Sequence, residues 1–249
     1  MQSFFLHLLL ITTTLNMATY EELSLLQKQE LLDWLSGFIT KNKQTKISEI
    51  VRDRTRHLTI VLEDIYQSHN ASAVLRTCDC FGIMDVHIIE NMNSYKVNPD
   101  VALGSSKWLN ILTYNKEHQN TETCLKQLKK EGYRIVATSP HKNDYTPETL
   151  PLNQKIALVF GTELEGLSET ALKMSDDYVK IPMVGFTESL NISVSAALFL
   201  YSLTERLRKS DIPWQLSEEE NMDIRIGWTK NVLKKSTLIE KKFLDKIKL

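Results

Sequence analysis

Three stretches of this chain bring together residue types that suit binding of phosphate, ribose or a small cofactor. The first, NASAVLRT (70–77), carries Asn70 and Arg76. Arg76 is a bidentate donor suited to phosphate; the plainer reading of the pair is a helix cap and a surface arginine. The second, FGTELEGLS (160–168), sets Glu163 between Gly161 and Gly166. Paired glycines let a backbone loop approach a ligand closely, and Glu163 can accept hydrogen bonds from a ribose or an amino group. The third, IPMVGFTESLNISVSAALFLY (181–201), runs from an apolar strand end through Pro182 and Gly185 into Ser189, Asn191, Ser193 and Ser195. A long apolar helix follows, so free backbone N–H groups and polar side chains stand together at the mouth of a buried helix, where a ligand can bind.

Other chemistries fit less well. The second stretch lacks the G-K-[ST] ending of a nucleotide-binding P-loop and the G-x-G-x-x-G spacing of a dinucleotide site. Hydrolysis through a serine nucleophile is a poor second reading. No G-x-S-x-G elbow is present, and the six histidines (His7, His57, His69, His87, His118, His141) fall outside the three stretches, although His69 abuts Asn70. Cys78 and Cys80 form a lone C-x-C on a predicted helix, whose geometry points them to opposite sides, against shared metal ligation. No metal is expected.

The elements that must position these residues follow from hydrophobic period and punctuation. Tyr20 to Phe38 reads as an amphipathic helix and Ile47 to Arg56 as a second, basic one. Leu58–Leu62, Val86–Ile89, Asn110–Thr113, Arg134–Thr138, Ile156–Phe160 and Tyr178–Ile181 read as strands. Helices are predicted from Asn70, as cap, to Phe81, with Gly82 as the stop; from Thr121 to Lys130; from the Ser168 cap to Met174; and from Leu190 to Arg208. A loop with Asn93, Asn98 and Pro99 leads to Val101–Ser106. Strands alternating with helices predict a mainly parallel sheet covered on both faces, with ligands at the carboxyl ends of its strands.

Composition is that of an ordinary soluble domain: 249 residues, 42% apolar, 24% charged, net charge −1. The charge is uneven. Lys41 to Arg56 holds six basic residues (Lys41, Lys43, Lys46, Arg52, Arg54, Arg56) against Glu49 and Asp53. The tail from Asn221 holds eight (Arg225, Lys230, Lys234, Lys235, Lys241, Lys242, Lys246, Lys248) against Asp223, Glu240 and Asp245. Basic ends around a neutral core fit either a polyanion gripped by the ends or solvated helix faces. Three cysteines, an odd and sparse set, argue for a reducing compartment, hence a cytoplasmic location. Residues 1–16, MQSFFLHLLLITTTLN, lack the positive n-region of a secretory signal. They read as a leader or a mis-assigned start before Met17, and no other segment is long and apolar enough to span a bilayer.

Taken in order, N-x-S-A-x-x-R-T, F-G-x-E-x-x-G-L and I-P-M-x-G-x-x-x-S-L-N-x-S-x-A-A resemble the three motifs of the SPOUT, or α/β-knot, RNA ribose methyltransferases, over roughly Leu58 to Arg208. Within that family the short helical N-terminus and basic C-terminal extension resemble the TrmH branch, which methylates the 2'-oxygen of guanosine-18 in tRNA. The resemblance implies an α/β fold with a C-terminal trefoil knot, an exception to unknotted topology. The methyltransferase domain would span 58–209, flanked by a helical extension at 17–57 and a basic one at 210–249. It implies S-adenosyl-L-methionine held around Thr138, Phe160, Gly161, Glu163, Gly166, Ile181, Met183, Leu190 and Asn191. It implies Arg76 as the catalytic arginine, Asn70 positioning it or the ribose, and Ser189 and Asn191 orienting the site. It also implies a homodimer through the knot and the last helices, each site completed by the partner subunit. The basic ends would then hold tRNA phosphates, with Arg52, Arg54, Arg56, Arg206, Arg208, Lys234 and Lys235 as contacts. Trp214 and Trp228 would pack on the core or stack on a base. Ribosomal RNA, the tRNA wobble ribose, and a knotted RNA-binding protein without catalysis are the competing readings.

Overall fold

The computed structural model describes residues 20–94, 102, 104–139 and 144–247. The expected leader at 1–16 and the middle of the 93–106 connection lie outside the described residues. Six strands form one sheet in the order β3-β2-β1-β5-β4-β6. They are β1 (Leu58–Glu63), β2 (Asp85–Ile89), β3 (Asn110–Tyr114), β4 (Arg134–Thr138), β5 (Ile156–Phe160) and β6 (Asp177–Val179). All pairings are parallel, with Ile60 opposite Leu158 and Val86 at the centre.

The central strands are buried on both sides, which is why LTIVLE and IALVF read as unbroken apolar runs rather than alternating ones. Alternation sorts them all the same. Leu58, Ile60, Leu62, Ile156, Leu158 and Phe160 face one core, while Val61, Ala157 and Val159 face the other. Helices α3 (Ser68–Phe81) and α6 (Ile192–Arg208) cover the first face. Helices α4 (Asn120–Lys130) and α5 (Glu169–Met174) cover the second. Gly82 ends α3 at φ +80°, and a Cβ there would stand 2.4 Å from the Asp53 carbonyl oxygen.

Several helix starts differ from expectation. Asn70 is not the cap of α3: the helix begins two residues earlier, after Gln67, and the Asn70 side chain turns inward to other partners. The basic helix α2 spans Lys41–Val51: the Thr40 hydroxyl caps its start by accepting from Lys43 N, and it ends at Val51, so Arg54 and Arg56 lie outside it. The first predicted helix is a turn at Tyr20–Glu22 followed by α1 (Leu25–Ser36), started by a Ser24–Gln27 capping box.

The terminal helices pack on each other. A capping box of Ser217 and Glu220 starts α7 (Glu218–Val232), and α8 (Ser236–Ile247) follows. Leu31, Leu32 and Leu35 of α1 bury against Met222, Ile226 and Phe243. Ile47 and Val51 of α2 bury against Ile224 and Trp228. Each such fully buried side chain contributes about 1.5–3 kcal/mol, so the two extensions form one attached body with its own small cores. Lys28 is buried between Asp223 (2.8 Å) and Glu219 (3.2 Å) and ties α1 to α7.

Candidate active site

The loops after β4, β5 and β6 and the start of α6 enclose a cleft of about 380 Å³. Its walls include Thr138, Phe160, Gly161, Glu163, Gly166, Ile181, Met183, Ser189 and Leu190. The cleft therefore contains eight of the nine expected cofactor residues. The ninth, Asn191, caps α6, its side-chain Oδ1 accepting from Ser193 N (2.9 Å) and Ser193 Oγ (2.6 Å). The walls also include residues the sequence did not single out: Ser139, Lys180, Glu188 and Phe199. They follow strand ends or lie along α6, where period and composition give no sign of function.

The β5 loop is a pinched turn. Thr162 N donates to Gly166 O (2.9 Å) and Gly166 N to Thr162 O (3.1 Å). A Cβ on Gly161 would stand 2.2 Å from Gly166 carbonyl atoms, and Gly166 sits at φ +73°. Both positions therefore require glycine, and the pinch projects Glu163, Leu164 and Glu165 outward. Glu63 at the end of β1 anchors this wall. Its buried carboxylate accepts from Ser168 N (2.9 Å), Ser168 Oγ (2.7 Å) and Thr121 Oγ1 (2.6 Å). A glutamate ending an apolar strand gave no hint of that role.

The three motif stretches meet at one carboxylate. Glu163 Oε1 accepts from Asn70 Nδ2 in a short hydrogen bond and from Asn191 Nδ2 at 3.1 Å. Asn191 Nδ2 also reaches Asn70 Oδ1 (3.2 Å), and Asn70 Nδ2 reaches Gln67 Oε1 (3.2 Å). Asn70 is buried at this junction. Arg76 is not part of it. It lies six residues along α3, exposed, with no hydrogen bond or ion pair among the described residues.

Four of the seven expected RNA contacts are engaged inside the protein. Arg54 is buried, donates to Ile83 O (3.1 Å), ion-pairs with Asp79 and lies 5.0 Å from the Trp228 ring centroid. Arg56 pairs with Asp85 (2.9 Å) and Glu220 (3.0 Å). Arg206 donates to Pro147 O (2.5 Å) and Leu150 O (2.8 Å), and Arg208 to Phe81 O (2.9 Å). Their guanidiniums answer carbonyls and carboxylates that burial would leave unpaired. Arg52, Lys234 and Lys235 are exposed as expected. Arg52 lines a groove of about 500 Å³ between α1, α2 and α7 together with Arg225. Trp228 packs in a core edge-on to Trp108, and Trp214 packs partly buried beneath Arg208.

Several ionisable groups away from the cleft are buried. Cys78 and Cys124 are buried, Cys80 is exposed, and burial pushes the Cys124 thiol up to about 12. Burial lowers the pKa of both His57 and His87. Among the described residues, no group of three or more His, Cys, Asp or Glu could hold a metal ion.

A parallel sheet with a glycine-pinched cleft at its carboxyl edge, closed by the start of a long helix, is matched by a known family. The profile of the SpoU rRNA Methylase family matches residues 57–201, and the chain belongs to that family. Among its relatives is a tRNA (guanosine(18)-2'-O)-methyltransferase from Borreliella burgdorferi, 48% identical over 83% of this chain and 93% of the relative. A protein of the same name from Thermus thermophilus is 32% identical over 70% of this chain and 87% of its own length. The crystal structure described as an A. aeolicus TrmH/SpoU tRNA modifying enzyme superposes with a TM-score of 0.68 at 29% identity, covering 78% of this chain and 98% of that one.

Proposed function

We propose that this chain is an S-adenosyl-L-methionine-dependent tRNA 2'-O-methyltransferase acting on guanosine-18, as a cytoplasmic homodimer. The observation that carries the reading is the convergence of Asn70, Glu163 and Asn191 beside the pinched cleft, in a chain 48% identical to an enzyme of that name. The cleft suits the cofactor. The open space where Gly166 lacks a Cβ leaves backbone accessible to a ligand, Phe160, Ile181 and Leu190 offer apolar wall, and Glu165 and Glu188 supply negative charge toward a sulfonium. When bound, the cofactor supplies a methyl group activated on that sulfonium.

The chain's own residues align the ribose. Asn70 and Asn191 fix the Glu163 loop against α3 and α6, so the cleft wall is held before substrate arrives. Arg76 serves as a phosphate clamp and stabilises negative charge developing on the ribose 2'-oxygen. Arg52, Lys234 and Lys235 hold tRNA phosphates at a distance from the cleft, which makes affinity salt-dependent. Leu164, Val184 and Phe186 stand exposed at the cleft rim, and Val194, Leu198 and Tyr201 line one exposed stripe of α6. These exposed apolar side chains support burial against a second copy. No helix among the described residues is long and apolar enough to cross a membrane.

The test is incubation with labelled S-adenosyl-L-methionine and unmodified tRNA, then mapping of 2'-O-methylation by nuclease digestion and mass spectrometry. Methylation of the D-loop guanosine is the expected outcome. Transfer only to ribosomal RNA or to the wobble ribose would move the substrate, and cofactor-free RNA binding would remove the enzyme.

A further inference from the structure

We infer that Glu163 is the proton acceptor of the reaction, its free Oε2 taking the ribose 2'-hydroxyl proton. The inference rests on the methyltransferase reading above. A 2'-hydroxyl is a weak nucleophile, and a positioned base is worth about 10²–10⁴-fold in rate. Arg76 cannot supply it, because a guanidinium offers donors only and stays protonated.

No histidine among the described residues lines the cleft. His57 and His87 are buried elsewhere in the sheet layer, and His69 and His118 are exposed without lining the cleft wall. Among the described residues, the ionisable groups that do line it are Glu163, Glu165, Lys180 and Glu188. Of these carboxylates, only Glu163 is bonded to the motif residues of α3 and α6.

The form of that bonding matters. Both amides donate to Oε1. Oε2 takes no hydrogen bond among the described residues, and no lysine or arginine pairs with this carboxylate there. One oxygen is therefore fixed and the other is left for a substrate proton. The anchors come from the helix that carries Arg76 and from the cap of the helix that closes the cleft, so the free oxygen is registered against both. The step balances. The ribose oxygen bonds to the methyl carbon while the methyl–sulfur bond breaks with its electron pair remaining on sulfur. The hydroxyl proton passes to Oε2 and is returned to water after product leaves.

Glu163→Gln tests this, because the amide oxygen can still accept from Asn70 and Asn191 but cannot take a proton. The expected result is a fall of about 100-fold or more in the rate at saturating tRNA and cofactor. Calorimetric affinity for S-adenosyl-L-methionine and filter-binding affinity for tRNA should stay within about threefold of wild type, a kcat loss without a binding loss. Formate should restore part of the rate to Glu163→Gly, since it supplies a carboxylate where the side chain is missing. A Glu163→Gln protein as fast as wild type would overturn the inference. So would a loss that comes with equal loss of cofactor binding, which would make Glu163 a positioning residue. A collapse in His69→Ala with Glu163→Gln unaffected would give the proton to His69. Wild-type inactivity toward tRNA overturns the substrate reading instead, and without methyl transfer to any RNA Glu163 has no proton to accept.

Discussion

Where the terminal helices pack on each other and on the sheet, Lys28, Arg54 and Arg56 each have a carboxylate partner, and Trp228 packs against Arg54. Around the cleft the pattern is reversed. Glu163 is held by neutral amides, Glu165 and Glu188 stand exposed, Arg76 is alone among the described residues, and Val184 and Phe186 stand in solvent. The first region pairs its charges and buries its apolar side chains internally. The second leaves both kinds open, as a surface does when its partners come from outside the chain. The two regions share residue types, so what separates a structural arginine from a functional one here is whether the fold already supplies its counter-charge.

Replacing Arg54 should produce the largest effect on the molecule. Arg54→Ala removes one member of a buried pair and leaves Asp79 and the Ile83 carbonyl oxygen short of a partner. Losses of this kind cost about 3–5 kcal/mol. Urea unfolding should show a lower midpoint, with the rate per folded molecule little changed. An unfolding curve like wild type, with weaker tRNA binding, would break the comparison by making Arg54 a contact after all.

Arg76→Ala should do the opposite. The side chain is exposed, and its removal should change stability by no more than about 0.5 kcal/mol. Loss of one stabilising donor for a developing oxyanion costs about 10²–10³-fold in rate. Single-turnover methyl transfer beside a thermal melt separates the two effects. A destabilised variant with normal turnover would place Arg76 with Arg54.

The strands and most helix limits were legible because they rest on local signals. Ser168 caps α5, Gly82 ends α3, and Ile156–Phe160 is a strand of that extent. The cleft was legible too, since pinched glycines and a polar helix start are written in sequence. What stayed hidden depended on distant partners. Arg54 and Arg56 looked like a basic arm because Asp79, Asp85 and Glu220 lie between 25 and 164 residues away. Asn70 looked like a cap because Glu163, which claims it, lies 93 residues on. Glu63 was invisible for the same reason: its donors come from Thr121 and Ser168.

The exposed apolar stripe sharpens the comparison at intermediate size. Val194, Leu198 and Tyr201 recur on one side of α6 with 43–60% of their surface in solvent. If a second copy covers them, Leu198→Glu should weaken the dimer, because burying an unpaired carboxylate in such a contact is strongly unfavourable. Light scattering should then report the monomer mass at concentrations where wild type is dimeric, with the monomer still folded. An unchanged mass would leave this stripe without a partner copy.

The smallest effect is expected from the C-terminal lysines. Lys234 and Lys235 sit between α7 and α8, exposed, with no side-chain partner among the described residues. If each neutralises one phosphate, removing it lowers the slope of log affinity against log salt by about 1. The loss in affinity should be similar for every tRNA sequence, because phosphate contacts carry no base information. Filter binding across a salt series with Lys234→Ala, Lys235→Ala and the double variant should show the slope falling stepwise while cofactor affinity holds. The same series on Arg56→Ala should show no such step, since that guanidinium is already neutralised by Asp85 and Glu220. A slope change in Arg56→Ala equal to that of the lysines would mean that RNA displaces the internal carboxylates, and the line between the two regions would then fall at binding rather than at folding.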